Sequence, residues 1–338
     1  MTAKTFMALW NGHTVPRIGI GTWAAGGGVI WDGATQPTVY GEVDDKHSRQ
    51  AIALAYEMGC RVFDTAAAYG AGNAEILLGE ALAGKDDAVI VSKCGYHGDP
   101  ATRRIAPEDA SPAGIRHSVE QSRRRLRRDR IDLMLLHINE YPIDKAGAVF
   151  DTFGHLRNEG RIGAFGWSTD HPERLSAFAG RKGFVAVEND YNLFERAEEV
   201  MAIAESNGLV SLSRLPLAMG LLTGKYSSGR RVGANDVRAS DQPWMKFFKD
   251  GAANPEFTRR LEAVRELLTV GGRTLAQGAL GWILARSPAA LPVPGFTRPE
   301  QVRDNLGALE KGPLPAAVMA EIDAVLMPAS AQAQGERR

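Results

Sequence analysis

The chain has 338 residues, 44% hydrophobic and 24% charged, an ordinary composition for a globular protein long enough to bury a large core. Forty Lys and Arg balance forty Asp and Glu, a net charge of zero, so no global field draws a nucleic acid, an anionic membrane or an acidic partner. Two cysteines, Cys60 and Cys94, make no disulfide framework and suit a reducing cytoplasm. Met1 to Trp10 lacks the basic start and apolar core of a signal peptide, and no apolar run reaches the roughly 18 residues of a membrane span.

After a short polar start, residues 17–23 predict a first strand and its exit. A long loop from Ala24 to Asp45 follows, carrying Gly26-Gly27-Gly28 and the aromatics Trp31 and Tyr40. Helix 46–58 ends at Gly59, a residue free to take the left-handed cap conformation. Strand 61–64, helix 73–83 and strand 88–92 lead into a loop over 94–110. Ser111 with Pro112 in the first turn opens a helix to about Arg128. Strand 131–136, helix 144–158, strand 162–167, helix 171–179, strand 184–188, helix 195–206 and strand 209–213 continue the alternation. Residues 217–255 have little periodicity and read as a functional loop. Helices 256–269 and 274–286, strand 290–293, helix 299–308 and an outer helix over 315–327 complete the pattern. Pro328–Arg338 reads as a frayed tail.

Strands alternating with helices imply parallel βαβ units. With eight strands and no Pro/Ser-rich linker, the expectation is a single domain over residues 1–338: one (β/α)8 barrel, core about 17–310, with long active-site loops. The run from Arg123 to Arg130 holds six arginines. It reads as a helix C-terminus on a solvated outer face, where cations complement the helix dipole.

Asp64, Lys93 and His137 each end an apolar strand, and Tyr69 follows the second strand closely. In a parallel barrel all strand C-termini meet on one face, where catalytic groups collect. A free phenol titrates near 10; Lys93 beside Tyr69 would favour phenolate and lower that value, making Tyr69 a general acid. Asp64 would hold the Lys93 ammonium, and His137 would hydrogen-bond a carbonyl oxygen or relay the proton. His137 and His171 lack metal-ligand spacing, so no metal is expected. No G-x-S-x-G elbow supports a hydrolase and no G-x-G-x-x-G supports a Rossmann site.

Phe63-Asp64-Thr65-Ala66-Ala67-Ala68-Tyr69-Gly70 with Asn73-Ala74-Glu75 resembles the aldo-keto reductase signature. So do Gly19-x-Gly21-Thr22-Trp23, Ser92-Lys93, Leu135-Leu136-His137, Gly166-Trp167-Ser168, Tyr191-Asn192-Leu193, the run from Pro216 to Tyr226, and Pro294-Gly295 through Gln301 to Asn305. These stand in family order over roughly residues 17–310. The resemblance implies an NADPH-dependent oxidoreductase that reduces an aldehyde or ketone, with Asp64, Tyr69, Lys93 and His137 catalytic. The alternative is a nicotinamide-binding regulatory subunit with little turnover.

For the cofactor, NADPH is expected ahead of NADH. Gly220, Leu222, Gly224 and Lys225, with Pro216 and Leu217 before them, would hold the pyrophosphate. Gly295, Thr297 and Arg298 before a helix offer a second anion site suited to a ribose 2′-phosphate. The resemblance places Gln301 and Asn305 at the adenine, Ser168 and Thr169 at the nicotinamide amide, and Gly21, Thr22, Trp23 and Asp64 along the same site. Two positions depart from the family. Glu188 stands where Gln is usual, and a carboxylate can only accept. Arg214 stands where an aromatic usually stacks on the nicotinamide, which a planar guanidinium can replace; Glu188 and Arg214 are also candidates to pair. Trp23, Trp31, Tyr69 and His137 are the expected substrate pocket, with Trp244, Phe247 and Phe248 nearby. An apolar wall suits a bulky cyclic or hydroxylated ketone. The expected partner is thus a small carbonyl compound, for a monomer or homodimer.

Overall fold

The computed structural model describes residues 5–34, 38–41, 43–240, 242 and 244–326; the tail expected over Pro328–Arg338 lies outside them. Eight strands form the barrel: β1 (Ile20–Gly21), β2 (Val62–Asp64), β3 (Val89–Cys94), β4 (Ile131–Leu136), β5 (Ile162–Ser168), β6 (Phe184–Asp190), β7 (Val210–Arg214) and β8 (Ala290–Pro292). They neighbour one another in chain order. Closure comes from a parallel bridge between Gly21 and Gly295 and from Gly19 and Gly21 donating to the carbonyls of Pro292 and Pro294 at 3.0 and 3.1 Å. The glycines permit this approach: a Cβ on Gly21 would lie 2.8 Å from the Val293 carbonyl oxygen.

Ten helices among the described residues surround the strands: α1 (Asp45–Glu57), α2 (Asn73–Ala81), α3 (Pro112–Leu126), α4 (Ile143–Asn158), α5 (Pro172–Phe178), α6 (Glu198–Ser206), α7 (Pro255–Leu268), α8 (Leu275–Arg286), α9 (Pro299–Lys311) and α10 (Ala316–Leu326). Local chemistry sets their ends. The Ser111 hydroxyl accepts from Gly114 N, Pro112 opens α3, and Arg127 closes it with a φ of 54°. Thr274 and Gln277 cap α8 reciprocally. Helix α6 starts later than its periodicity suggests, because Asn192 accepts from Phe194 N and Glu195 N and holds a turn there.

Alternation divides each strand between two cores. Val62, Val89, Val91, Leu133, Leu135, Ala164, Ala186, Val210, Leu212 and Leu291 fill the barrel, while Phe63, Ile90, Met134, Phe165 and Val187 pack under the helices. The start of the chain is not merely a polar lead-in. Phe6–Ala8 and Thr14–Pro16 pair antiparallel, and Leu9 and Val15 join the inner core, plugging its N-terminal end. Arg17, expected in the first strand, lies before it and donates to the carbonyls of Leu284, Ser287 and Ala290.

The long loops have structure of their own. Ile30–Trp31 pairs with Arg104–Ile105, which pairs with Gly98–Asp99. Val39 bridges to Asp236, and Val237 N donates to Val39 O at 2.7 Å, so the first loop meets the late one. Within 217–255 lie a 3-10 turn at Ala218–Thr223 and a short antiparallel pair, Phe248–Lys249 with Ala252–Ala253. The arginine run is less solvated than expected. Arg123 is buried, and Arg125 reaches in to Glu75, itself wholly buried. Arg124, Arg127 and Arg128 pair with Glu120, Glu80 and Asp86.

Candidate active site

Lys93 sits in β3 on the inner face of the barrel top and is fully buried. Its Nζ lies 2.6 Å from Asp64 Oδ1, 3.0 Å from Thr65 O, 3.1 Å from the Tyr69 hydroxyl and 3.1 Å from Glu188 Oε2. An ammonium has three hydrogens. They go to Asp64, Thr65 and Tyr69; Glu188 Oε2 makes an ion pair but has no hydrogen-bond partner. Because Lys93 donates to the phenol oxygen, the Tyr69 O–H remains free to donate onward.

Tyr69 is aimed by its turn. Gly70, Ala71 and Gly72 all have positive φ, 59°, 54° and 97°, and a Cβ on Gly70 would lie 2.0 Å from Gly26 O. The glycine-rich first loop therefore exists partly to seat this turn. Arg103 donates to the carbonyls of both Gly26 and Gly70, at 2.9 and 3.1 Å.

The expected lowering of the Tyr69 phenol does not hold in this arrangement. Burial raises its pKa, Lys93 opposes that, and the carboxylates of Asp64 and Glu188 add to the rise. With two carboxylates around one ammonium, little positive field is left for the phenol. Burial would lower the Lys93 ammonium, but Asp64 and Glu188 together hold it above its ordinary value. The Asp64 carboxyl is raised by burial and then by Glu188, against the pull of Lys93.

His137 follows β4, its backbone N–H donating to Cys94 O at 2.8 Å. Its ring meets Tyr69 and Tyr96 edge-on, with centroids 5.7 and 5.6 Å away. Burial, and then the cations Lys93 and Arg214, hold its pKa well below the usual value, so the imidazole is neutral and offers one N–H and one lone pair. Nδ1 has no partner.

Arg214 ends β7. It does not pair with Glu188, contrary to one expectation. Its Nε lies 2.7 Å from Asp190 Oδ1, one Nη binds Asp170, and the other donates to Ser168 Oγ at 3.2 Å. The guanidinium is thus a fixed shelf beside Glu188. Sequence reasoning missed its two acids, although alternation places Asp170 on the face of Ser168 and Asp190 on that of Glu188.

A cleft of about 1230 Å³ runs from Asp64, Tyr69, Glu188 and Arg214 to the loop after β8. Gly21, Trp23, Pro216, Leu217, Gly220, Lys225, Gly295, Thr297, Arg298, Gln301 and Asn305 line it, as expected. Five expected cofactor residues do not. Thr22 and Thr169 are buried, their hydroxyls donating to Asp64 O and Asn139 O at 2.9 Å. Ser168 is held by Arg214, Leu222 is core, and Gly224 caps the 3-10 turn with a φ of 77°. Gln301 Oε1 is taken up by Thr297 N and Arg298 N, at 2.7 and 3.1 Å. Tyr40 of the first loop also lines the cleft, and Arg230, Arg231 and Arg238 line it without having been foreseen.

Around Tyr69 the wall is aromatic. Trp23 packs on Tyr69, Tyr40 and Trp244, with centroids 6.4, 5.0 and 6.3 Å apart. Trp31 is not in the cleft; it packs on Tyr96 at 5.3 Å. Phe247 and Phe248 are buried and pack the late loop down. Among the described residues no group of three or more His, Cys, Asp or Glu is placed to hold a metal ion, and no helix is long and apolar enough to cross a membrane.

A model of the Aldo/keto reductase family matches residues 17–327. The chain belongs to this family. It is 32% identical over 305 residues to the aldo-keto reductase YhdN of Bacillus subtilis, covering 86% of this chain and 84% of that one. It is 28% identical over 336 residues to a protein of Escherichia coli named NADH-specific methylglyoxal reductase, covering 95% and 96%. Among solved structures, the glycerol dehydrogenase AKR11B4 of Gluconobacter oxydans superposes with a TM-score of 0.78 at 27% identity, over 96% of both chains.

Proposed function

We propose that this aldo/keto reductase family member reduces an aldehyde or ketone to an alcohol with NADPH, Tyr69 donating the proton. The observation that carries the reading is the Lys93 web: a buried ammonium that accepts nothing, bonded to the Tyr69 oxygen at 3.1 Å, leaves the phenol one free hydrogen at the cleft wall. The bound nicotinamide would supply the hydride to the carbonyl carbon.

The residues around that step have separate tasks. Tyr69 releases its proton to the carbonyl oxygen as negative charge builds there, and Lys93 stabilises the phenolate that remains. Asp64 holds Lys93 in register. His137, neutral, donates a hydrogen bond to the same oxygen and so fixes the carbonyl's orientation. Trp23, Tyr40 and Trp244 exclude water from one side and favour a bulky cyclic or hydroxylated ketone.

The cleft suits an anionic dinucleotide. Lys225, Arg230 and Arg298 line it and have no acidic partner in an ion pair among the described residues. Gly220, with a φ of 90°, lines the cleft and leaves the backbone there without a side chain in the way. Arg214 gives a flat shelf for the nicotinamide. NADPH over NADH rests on Arg298 as the 2′-phosphate ligand; the E. coli relative is named for NADH, so the choice is tested directly. With Arg298→Ala, kcat/KM for NADPH should fall by roughly 10- to 100-fold, the value of one or two charge-assisted hydrogen bonds, while that for NADH stays level. Equal losses with both cofactors would remove the 2′-phosphate assignment.

A further inference from the structure

We propose that Glu188 and Asp64 form a carboxyl pair that holds a single proton beside the Lys93 ammonium, so that the web around Tyr69 carries no net charge. The inference rests on the reductase reading but concerns groups that are present without substrate or cofactor.

The geometry counts charges and hydrogens. Lys93 Nζ lies within 3.1 Å of an oxygen of each carboxyl, and all three side chains are essentially buried. Two carboxylates and one ammonium would leave a net negative charge in a dry interior, which is costly. Two buried carboxylates sharing a site do not both ionise readily. The three ammonium hydrogens are taken up by Asp64, Thr65 and Tyr69, so Glu188 Oε2, buried and without a hydrogen-bond partner, lacks a donor. A proton on the Asp64 carboxyl supplies one and cancels the excess charge; burial, and then the like charge of Glu188, both favour that proton.

Nothing else facing Glu188 removes the excess. From β7, Arg214 is near enough to feel it, but that guanidinium is already matched by Asp170 and Asp190. From β5, Ser168 stands beside Glu188 in register and its hydroxyl oxygen is held by Arg214. His137 is neutral. The remaining groups are Lys93, Asp64 and Tyr69 themselves. With one proton on the pair, the web of Lys93, Asp64 and Glu188 carries no net charge beside Tyr69.

The first test reads the proton rather than turnover. In the cofactor-free full chain, infrared difference spectra across a pH series should contain the C=O stretch of one neutral, buried carboxylic acid at neutral pH, fading only as the pH is made alkaline. Glu188→Gln and Asp64→Asn should each abolish it, since one carboxylate beside Lys93 ionises, whereas Tyr69→Phe should keep it. The wild-type spectra alone overturn the proposal if no such band is present at neutral pH, even if neither amide variant folds. A band that survives at full strength in both amide variants belongs elsewhere and overturns it too.

The second readout is the pH profile of alcohol oxidation, whose rise follows Tyr69 ionisation. Glu188→Gln leaves one carboxylate beside one ammonium, the same net charge as a pair that shares a proton, so that rise should hold its place. A rise that falls by about one pH unit or more, where the wild-type band is still present, would mean that Glu188 carried its own charge and would overturn the shared proton. An inactive wild type that still has the band would refute the reductase reading and leave the carboxyl pair intact.

Discussion

His137 is a histidine denied its charge. It is wedged against Tyr69 and Tyr96, faces Lys93 and Arg214, and its pKa is held well below the usual value. The sign of the consequence follows from proton counting. Below pH ~6.5 the unfolded chain binds a proton at this residue that the folded chain refuses, so stability is complete above that pH and falls as the pH drops. Each pH unit costs about 1.4 kcal/mol until the folded value is reached. His137→Asn should flatten the acid limb of a urea-midpoint series by that slope; parallel limbs for the two proteins would mean that the imidazole charges freely in the fold. The same residue taught the limits of reading one side chain at a time. Its place after an apolar run was visible in the sequence. Its neutrality was not, because that depends on burial in the folded chain and then on two cations from strands far away in sequence. Tyr69 misled for the same reason: Lys93 alone would lower the phenol, but burial, with Asp64 and Glu188, reverses the balance.

At the scale of elements, the buried Glu75 ties three of them together. It rises from α2, accepts from Ser92 of β3 at 2.6 Å, and meets Arg125 of α3 at 2.6 Å. A buried pair is weak evidence for stability, but removing one partner leaves an uncompensated charge. Arg125→Met keeps the volume and removes the cation, and should cost about 3 kcal/mol in denaturant unfolding; Glu75→Gln with Arg125→Met should recover part of that loss. No loss in the single variant would show that Glu75 is not charged in the fold. The arginine run marked the end of α3 correctly through its helix-dipole logic. What was not legible was that one arginine points inward, since a 3.6-residue period sorts faces only where apolar residues mark them. The N-terminal hairpin was missed for a related reason: its strands have three residues each, too few for alternation to register.

Over the whole molecule, the barrel does what the alternation of strands and helices foretold, and its closure brings Asp64, Lys93, His137, Glu188 and Arg214 to one face. That gathering was readable because strand ends are marked by where apolar runs stop. The cleft's far wall was only half readable. Gly220, Lys225 and Arg298 stood in recognisable runs, whereas Arg230, Tyr40 and Arg238 come from irregular loops that meet through Val39 and Val237. Pairings between loops distant in sequence leave no periodic trace. Thr22 and Thr169, expected along the cofactor, lie off the cleft with their hydroxyls on backbone carbonyls, a competition that only the folded chain decides.

The central claim is that Tyr69 is the proton donor of a carbonyl reductase. Its most direct test is the loss of NADPH absorbance by the pure protein with a panel of aldehydes and bulky ketones, run beside Tyr69→Phe at matched fold and cofactor affinity. The account predicts turnover by the wild type with at least one carbonyl, reduced by about 10²-fold or more in the variant. Turnover that survives in Tyr69→Phe, or a wild type that binds NADPH tightly and reduces nothing, would contradict it.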